Sequence, residues 1–316
     1  MNYKNCMKLL SGSCNEKLSR EISRNLKTKL SDIKIIRFAD SEVYCEIKEN
    51  MRGKDVFLIQ GTSYPANYNI MELLICVDAI RRASAKSITA VLPYYAYARQ
   101  DRKVSPRSPI SAKLLANLLT QAGVNRVLTM DLHANQIQGF FDIPVDNLFA
   151  APIFVRHIKK NIKNKNIVCV SPDVGGVERA RAIGKRLKAD LAIIDKRRSG
   201  PGKSEVMNVI GNVKNKVCII LDDLVDSGGT IVNAAKVLKN KGAIDVYAYV
   251  VHGVLTGKAI EKINNSKIKK FIITNSIENN GKIKKSKKFE TVSVANLFAN
   301  AIYSISSSKS VSKLFK

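Results

Sequence analysis

Apolar residues recur with two different periods along this chain of 316 residues. Short runs rich in Val, Ile and Leu fall at 33–36, 56–59, 88–92, 127–130, 167–170, 191–194, 217–221, 246–250 and 271–273. Runs this short and this β-branched predict buried strands. Between them the apolar spacing widens to three and four residues. Ile70, Leu73, Leu74, Val77 and Ile80 share one helical face. Ser108 and Pro109 read as the cap and first-turn proline of a further helix, continued by Leu114, Leu115 and Leu118. Strands alternating with amphipathic helices predict an α/β fold with a mainly parallel sheet.

The order repeats weakly. Gly53-Lys54-Asp55 leads a strand, a polar loop, a helix and a second strand that ends at Leu92-Pro93-Tyr94. Lys214-Asn215-Lys216 leads the same series, which ends at Val250-Val251-His252. Two α/β halves in tandem account for this, with a boundary near 147–152. The expected domains are 1–149 and 150–300, and the length suits two cores. Residues 301–316 are expected to return to the first half as a terminal helix and strand.

A hydrophobic content of 45% with both charge signs present indicates a folded chain. No run of about 18 apolar residues spans a membrane, and the first ten residues lack a secretory leader pattern. Cys6, Cys14, Cys45, Cys76, Cys169 and Cys218 are scattered without a CxxC pair, which predicts reduced thiols and a cytoplasmic protein. The net charge of +27 suits nucleic acid, an anionic surface or polyanionic small substrates. Aromatic residues are only 6% and are not interleaved with the lysine runs, so stacking platforms for nucleic acid are lacking. Charge alone decides nothing.

The chemistry gathers after strands. Ligands of parallel sheets bind beyond the carboxyl ends of strands, where helix N-termini also point. The run 217–221 is followed by Asp222-Asp223-Leu224-Val225-Asp226-Ser227-Gly228-Gly229-Thr230. Adjacent carboxylates accept hydrogen bonds from vicinal sugar hydroxyls. The glycines leave backbone N–H groups bare at a positive helix end, which suits a phosphate. Together they fit a ribose bearing a 5-phosphate; a plain capped turn needs neither three acids nor two glycines.

This segment resembles the phosphoribosyl-binding loop of the type I phosphoribosyltransferase fold. Further motifs are similar to those of class I ribose-phosphate pyrophosphokinases and run from Met7 to Phe315. They are Phe38-Ala39-Asp40-Ser41-Glu42, Tyr97-Ala98-Arg99-Gln100-Asp101-Arg102-Lys103 and the stretch from Asp131-Leu132-His133 to Phe140-Phe141. Ser171-Pro172-Asp173-Val174-Gly175-Gly176 and Asp195-Lys196-Arg197-Arg198 complete the set. The resemblance implies two tandem phosphoribosyltransferase-like, Rossmann-like domains. It implies transfer of the β,γ-diphosphate of ATP to ribose 5-phosphate, giving 5-phosphoribosyl 1-diphosphate and AMP for nucleotide biosynthesis.

Residue by residue, the resemblance places Phe38, Asp40, Ser41, Glu42, Arg99 and Gln100 at ATP, with Phe38 stacking on adenine. It assigns Mg²⁺ to His133 and Asp173, which both follow predicted strands. Asp131 and His133 are expected on the same side of an extended segment. Lys196 becomes the principal catalytic residue and Arg198 a catalytic and substrate contact; without the resemblance both read as a solvated basic loop. Asp222, Asp223, Asp226, Ser227, Gly228, Gly229 and Thr230, with Arg198, are assigned to ribose 5-phosphate. Inorganic phosphate and ADP are implied effectors at a second site with Arg52, Ser84, Ser310 and Ser312. The ATP site borrows from a neighbouring subunit, so a homo-oligomer, a hexamer by resemblance, is implied.

One position departs: the family usually has glycine where Ser41 stands, and serine is strained there if φ is positive. Gly202-Lys203-Ser204 ends like a phosphate-binding P-loop, but Arg197 occupies the first glycine position and a strand-like stretch follows at 206–210. His157 and His252 read as structural. A non-catalytic relative would lack parts of these motifs. A phosphoribosyltransferase would share 222–230 without needing the ATP motifs. A nucleic-acid binder would instead show steep salt dependence.

Overall fold

In the computed structural model, which describes residues 6–163, 166–197, 206–279, 281 and 283–315, the chain divides into two units. The first comprises 1–149 with 276–278 and 293–316; the second comprises 150–275 with 279–292. Their strands follow one plan.

In the first unit, strand β1 (Met7–Ser11) leads through helix α1 (Glu16–Leu26) to a separate antiparallel hairpin, β2 (Ile33–Arg37) and β3 (Val43–Ile47). Then come β4 (Asp55–Ile59), α2 (Ala66–Arg82), β5 (Ser87–Leu92), α3 (Ser111–Ala122), β6 (Arg126–Met130) and β7 (Val145–Leu148). The sheet runs β1-β4-β5-β6-β7, parallel throughout. Leu18, Ile22 and Leu26 recur every four residues and bury one face of α1. Asn15 caps that helix by accepting from Leu18 N–H at 3.4 Å.

In the second unit the order is α4 (Ala151–Asn161), β8 (Ile167–Ser171), α5 (Val177–Leu187), β9 (Asp190–Arg197) and β10 (Val206–Ile210). It continues with β11 (Val217–Val225), α6 (Gly229–Asn240), β12 (Asp245–Gly253), α7 (Ala259–Asn264), β13 (Lys270–Thr274) and β14 (Phe289–Val292). The sheet order is β10-β9-β8-β11-β12-β13-β14, with only β10 antiparallel. Its central strands are buried on both faces and therefore read as unbroken apolar runs, Ile219 to Leu221 and Ala248 to Val251 among them.

The suborder β8-β11-β12-β13-β14 repeats β1-β4-β5-β6-β7. The weak repeat in the sequence is therefore a repeat of topology. Ser11 pairs with Ile59 in the first sheet; one residue past the Val170–Ile220 pair, Ser171 and Leu221 take the same places in the second.

Two local expectations are corrected. Helix α3 starts at Ser111, not at Ser108 and Pro109, because Ser108 closes a turn on Ser105 instead, its hydroxyl donating to Ser105 O at 2.7 Å. The C-terminal stretch supplies α8 (Ala295–Ser306), packed on α1, and a short 3₁₀ turn, Ser312–Phe315, where a strand was expected. All six cysteines are free thiols. No helix among the described residues is long and apolar enough to cross a membrane.

Candidate active site

In the second unit, β8 lies between β9 and β11, and all three run parallel. Their carboxyl ends therefore open onto one edge of the sheet. That edge receives Asp173 after β8, Lys196 near the end of β9, and Asp222 and Asp223 within the last turns of β11. Asp222 and Asp223 are both largely buried.

The carboxylates are crowded. Asp222 Oδ1 accepts the N–H of Asp223 at 2.9 Å. Burial first, then the charges of Asp223 and Asp173, push the Asp222 carboxyl well above the usual carboxylate range; Arg179 opposes this. Arg179, from the first turn of α5, places Nη1 at 3.5 Å from Asp223 Oδ1 and 3.9 Å from Asp222 Oδ1. Asp173 Oδ1 accepts from Gly176 N–H at 2.9 Å, closing the turn that starts α5. A Cβ on Gly176 would sit 2.8 Å from Ser171 Oγ and would displace the hydroxyl that donates to Asp173 O.

After β11, the turn through Asp226, Ser227 and Gly228 starts α6 with Gly228 at φ 76°, and no side chain caps the helix. Its first N–H groups have no partner within the helix. A Cβ on Gly229 would meet nothing within 4 Å, so the approach is open. Thr256, just after β12, braces the turn: its N–H donates to Asp226 O at 3.1 Å and its hydroxyl to Asp226 Oδ1. Arg198 and residues 199–205 lie outside the described residues, as does the side chain of Lys196. The P-loop look-alike at 202–204 lies there too, and the strand expected at 206–210 is β10.

In the first unit the residues expected at ATP form two groups. Phe38, Asp40, Ser41 and Glu42 make the tight turn of the β2–β3 hairpin, where Phe38 N–H donates to Glu42 O at 2.9 Å. Phe38 is 49% exposed, an open aromatic face. Ser41 has φ 77°, the left-handed region that serine disfavours, and its Oγ accepts from Arg37 Nη2 at 3.2 Å. The second group follows β5. Gln100 ties this segment to the start of α3, accepting from Ser111 Oγ at 2.6 Å and from Ala112 N–H at 3.2 Å. Arg99 beside it is exposed. Asp101 accepts from Gln136 at 2.8 Å, which joins this segment to the 3₁₀ turn after His133.

Asp131 and His133 do not share a side of an extended segment. Asp131 has φ 41°, which kinks the chain, so Asp131 is buried and His133 exposed. The kink is held by Asp131 N–H to Leu148 O at 2.8 Å and Leu132 N–H to Asn147 Oδ1 at 3.2 Å. For the second site, Gly53 N–H donates to Ser84 O at 2.9 Å, which brings the Arg52 turn to Ser84, and the Ser310 and Ser312 hydroxyls lie 2.6 Å apart. His157 joins Tyr249 and Glu290, both at 2.9 Å, and His252 is buried.

Arg179 and Thr256 are the site residues that sequence reasoning misses. Arg179 stands among Arg181, Lys185, Arg186 and Lys188, so nothing local marks it. Thr256 carries one usable signal, its place three residues beyond a strand end.

An acidic pair and an uncapped glycine turn at the carboxyl edge of a parallel sheet define an α/β protein of the ligand-binding, enzyme type. The family model described as the N-terminal domain of ribose phosphate pyrophosphokinase matches residues 7–123, and the phosphoribosyl synthetase-associated domain matches 197–316. A ribose-phosphate pyrophosphokinase of Agrobacterium fabrum is 56% identical over 98% of this chain and 100% of its own length. One of Bradyrhizobium diazoefficiens is 56% identical over 100% of both. A phosphoribosylpyrophosphate synthetase of Mycobacterium smegmatis superposes with a TM-score of 0.91 at 38% identity, covering 96% of this chain and 99% of that one. The chain belongs to the ribose-phosphate pyrophosphokinase family.

Proposed function

We propose that this protein moves the β,γ-diphosphate of ATP onto the 1-hydroxyl of ribose 5-phosphate. The carrying observation is the shared sheet edge: β8 alone separates the strand that carries Lys196 from the strand that carries Asp222 and Asp223. A sugar phosphate seated on the acidic turn lies at the same sheet edge as the backbone of Lys196.

Asp222 and Asp223 accept hydrogen bonds from the ribose hydroxyls. The N–H groups from Asp226 to Thr230 hold the 5-phosphate at the start of α6. The ribose 1-oxygen attacks the β-phosphorus, the bond from that phosphorus to the bridging oxygen of AMP breaks, and the hydroxyl proton passes to solvent. Lys196 and Arg198 offset charge on the transferred group, so positioning and neutralisation supply the rate. Phe38, Asp40, Ser41, Glu42, Arg99 and Gln100 hold the nucleotide.

His133 of the first unit and Asp173 of the second are each a donor type that a divalent cation accepts. His133 is exposed, Asp173 keeps one oxygen clear of its bond to Gly176, and the carboxylate surplus around Asp222 favours a cation. Bound Mg²⁺ supplies charge neutralisation for the diphosphate. A homo-oligomer that completes the ATP site, phosphate and ADP acting near Arg52, Ser84, Ser310 and Ser312, and a cytoplasmic location belong to the same proposal.

The test is AMP release by the purified protein with ATP and Mg²⁺, with and without ribose 5-phosphate. AMP forms only when the sugar phosphate is present. Equal AMP release without the sugar, or none with it, overturns the reading.

A further inference from the structure

Arg179 is the third residue of α5, and its side chain is only 18% exposed. One guanidinium nitrogen reaches both acids of the β11 end, at 3.5 and 3.9 Å. Around Asp222 the carboxylates of Asp223 and Asp173 gather, and Arg179 is the group that opposes them.

The first unit provides an internal control. Counted from the matched strand pairs, Gln60 and Gly61 take the places of Asp222 and Asp223, and Ser13 that of Asp173. By the same count Ser19 of α1, fully buried, takes the place of Arg179. A small uncharged side chain thus satisfies packing at this position in this topology. The guanidinium occurs where the carboxylates occur.

We propose that Arg179 is a positioning residue for the sugar substrate, holding Asp222 and Asp223 at the spacing that accepts the vicinal hydroxyls of a pentose 5-phosphate. The proposal rests on the ribose 5-phosphate reading above. Two anions a few ångströms apart repel, and with no cation between them their side chains turn apart or lose an acceptor. Burial fixes the guanidinium with Nη1 near both acids; a lysine ammonium is a point charge on a flexible stem and is fixed there less well.

The experiment measures AMP formation against ribose 5-phosphate, 2-deoxyribose 5-phosphate and ATP for Arg179→Gln and Arg179→Lys. For Arg179→Gln the KM for ribose 5-phosphate rises about 30-fold or more, the scale for truncating one partner of a buried charge pair. The KM for ATP stays within about twofold, because the ion pairs of Arg179 are to the two acids assigned to the sugar. The preference for ribose 5-phosphate over its 2-deoxy analogue narrows, since the hydroxyls are read less well; a residue that only packs α5 leaves that ratio alone. Arg179→Lys recovers part of the loss. Should Arg179→Gln fail to fold by circular dichroism, Arg179→Lys decides on the same three quantities.

Folded variants with an unchanged KM for ribose 5-phosphate and an unchanged substrate ratio overturn the proposal, as does an equal rise in both KM values. Asp222→Asn separates this from the parent reading. If Asp222→Asn raises the KM for ribose 5-phosphate and the Arg179 variants do not, the role of Arg179 alone falls. If the unaltered protein makes no AMP from the sugar phosphate, both fall.

Discussion

The two units put opposite chemistry on the same strand ends. In the first unit, polar groups beyond β1 and β4 are closed on one another by the fully buried Glu72. Its carboxylate accepts from Ser13 N–H at 2.7 Å, Ser13 Oγ at 2.6 Å and Gln60 Nε2 at 2.9 Å. In the second, among the described residues, the matching ends carry Asp173, Asp222 and Asp223 with Arg179, beside a helix start that no side chain caps. Two thirds of the +27 net charge also resides in the second unit. One edge is closed by a buried carboxylate of the protein itself, while the other gathers acids beside a helix start without a side-chain cap, which suits a ligand. Equal topology therefore does not mean equal function; the polar groups at the strand ends decide it.

The contrast predicts that substitutions in the two units damage different quantities. Lys196→Ala lowers kcat by on the order of 10²–10³, as the loss of one preorganised donor does. Its thermal unfolding midpoint changes little and nucleotide binding stays. Unaltered turnover removes Lys196 from the mechanism. Glu72→Ala does the reverse. Three donors lose their buried acceptor, which costs about 3 kcal/mol of stability. The KM for ribose 5-phosphate stays as it was. A melting midpoint within about 2 °C of the parent would show that this edge is not held by Glu72.

A smaller effect of the same kind lies at Glu49. Its carboxylate accepts from Lys8 Nζ at 2.6 Å, Ser31 Oγ at 3.0 Å and Asp32 N–H at 3.0 Å. The bond from Lys8, then that from Asp32, draws its pKa down to about 2. A depressed carboxylate pKa adds stability above its unfolded value near about 4.3, and that stability is lost as pH falls through the folded value. The pair is nearly a third exposed, so solvent screening discounts the gain to about 1 kcal/mol. Glu49→Gln thus unfolds at lower urea than the parent at pH 7, and the gap closes between about pH 4 and pH 2. A gap that persists at the acid end contradicts this linkage.

How far the sequence revealed this depended on whether signals were local. The acidic turn at 222–230 was legible because strand, carboxylates and glycines are consecutive. The strands buried on both faces were legible as apolar runs. The strands β1, β3, β7 and β14 were not, because Lys8 and Ser11, Tyr44 and Glu46, Asp146 and Asn147, or Glu290 and Thr291 interrupt them at half-covered edges. Arg179 was illegible because its partners lie more than forty residues away and meet it only through the β8–β11 pairing. The kink at Asp131 was illegible for a similar reason: Asn147 and Leu148 on the neighbouring strand hold it.

Ser41 is the place where the first unit resembles the second, a local cost kept at a proposed ligand contact. Its φ of 77° puts a side chain in the left-handed region, which disfavours L residues by about 1 kcal/mol. The compensation present is thin: an exposed bond from Arg37 at 3.2 Å and the turn bond from Ser41 N–H to Phe38 O at 3.0 Å, the latter open to glycine as well. Ser41→Gly relieves the left-handed cost but gains freedom in the unfolded chain, so the net change is small and stabilising, about 0.5 kcal/mol. If the hairpin turn holds ATP, the same relief lowers the KM for ATP by at most about threefold, and the KM for ribose 5-phosphate stays put. A loss of stability on this substitution would mean that the Arg37 bond outweighs the backbone cost. A fall in ribose 5-phosphate affinity instead would erase the division between a nucleotide-binding hairpin and a sugar-binding edge.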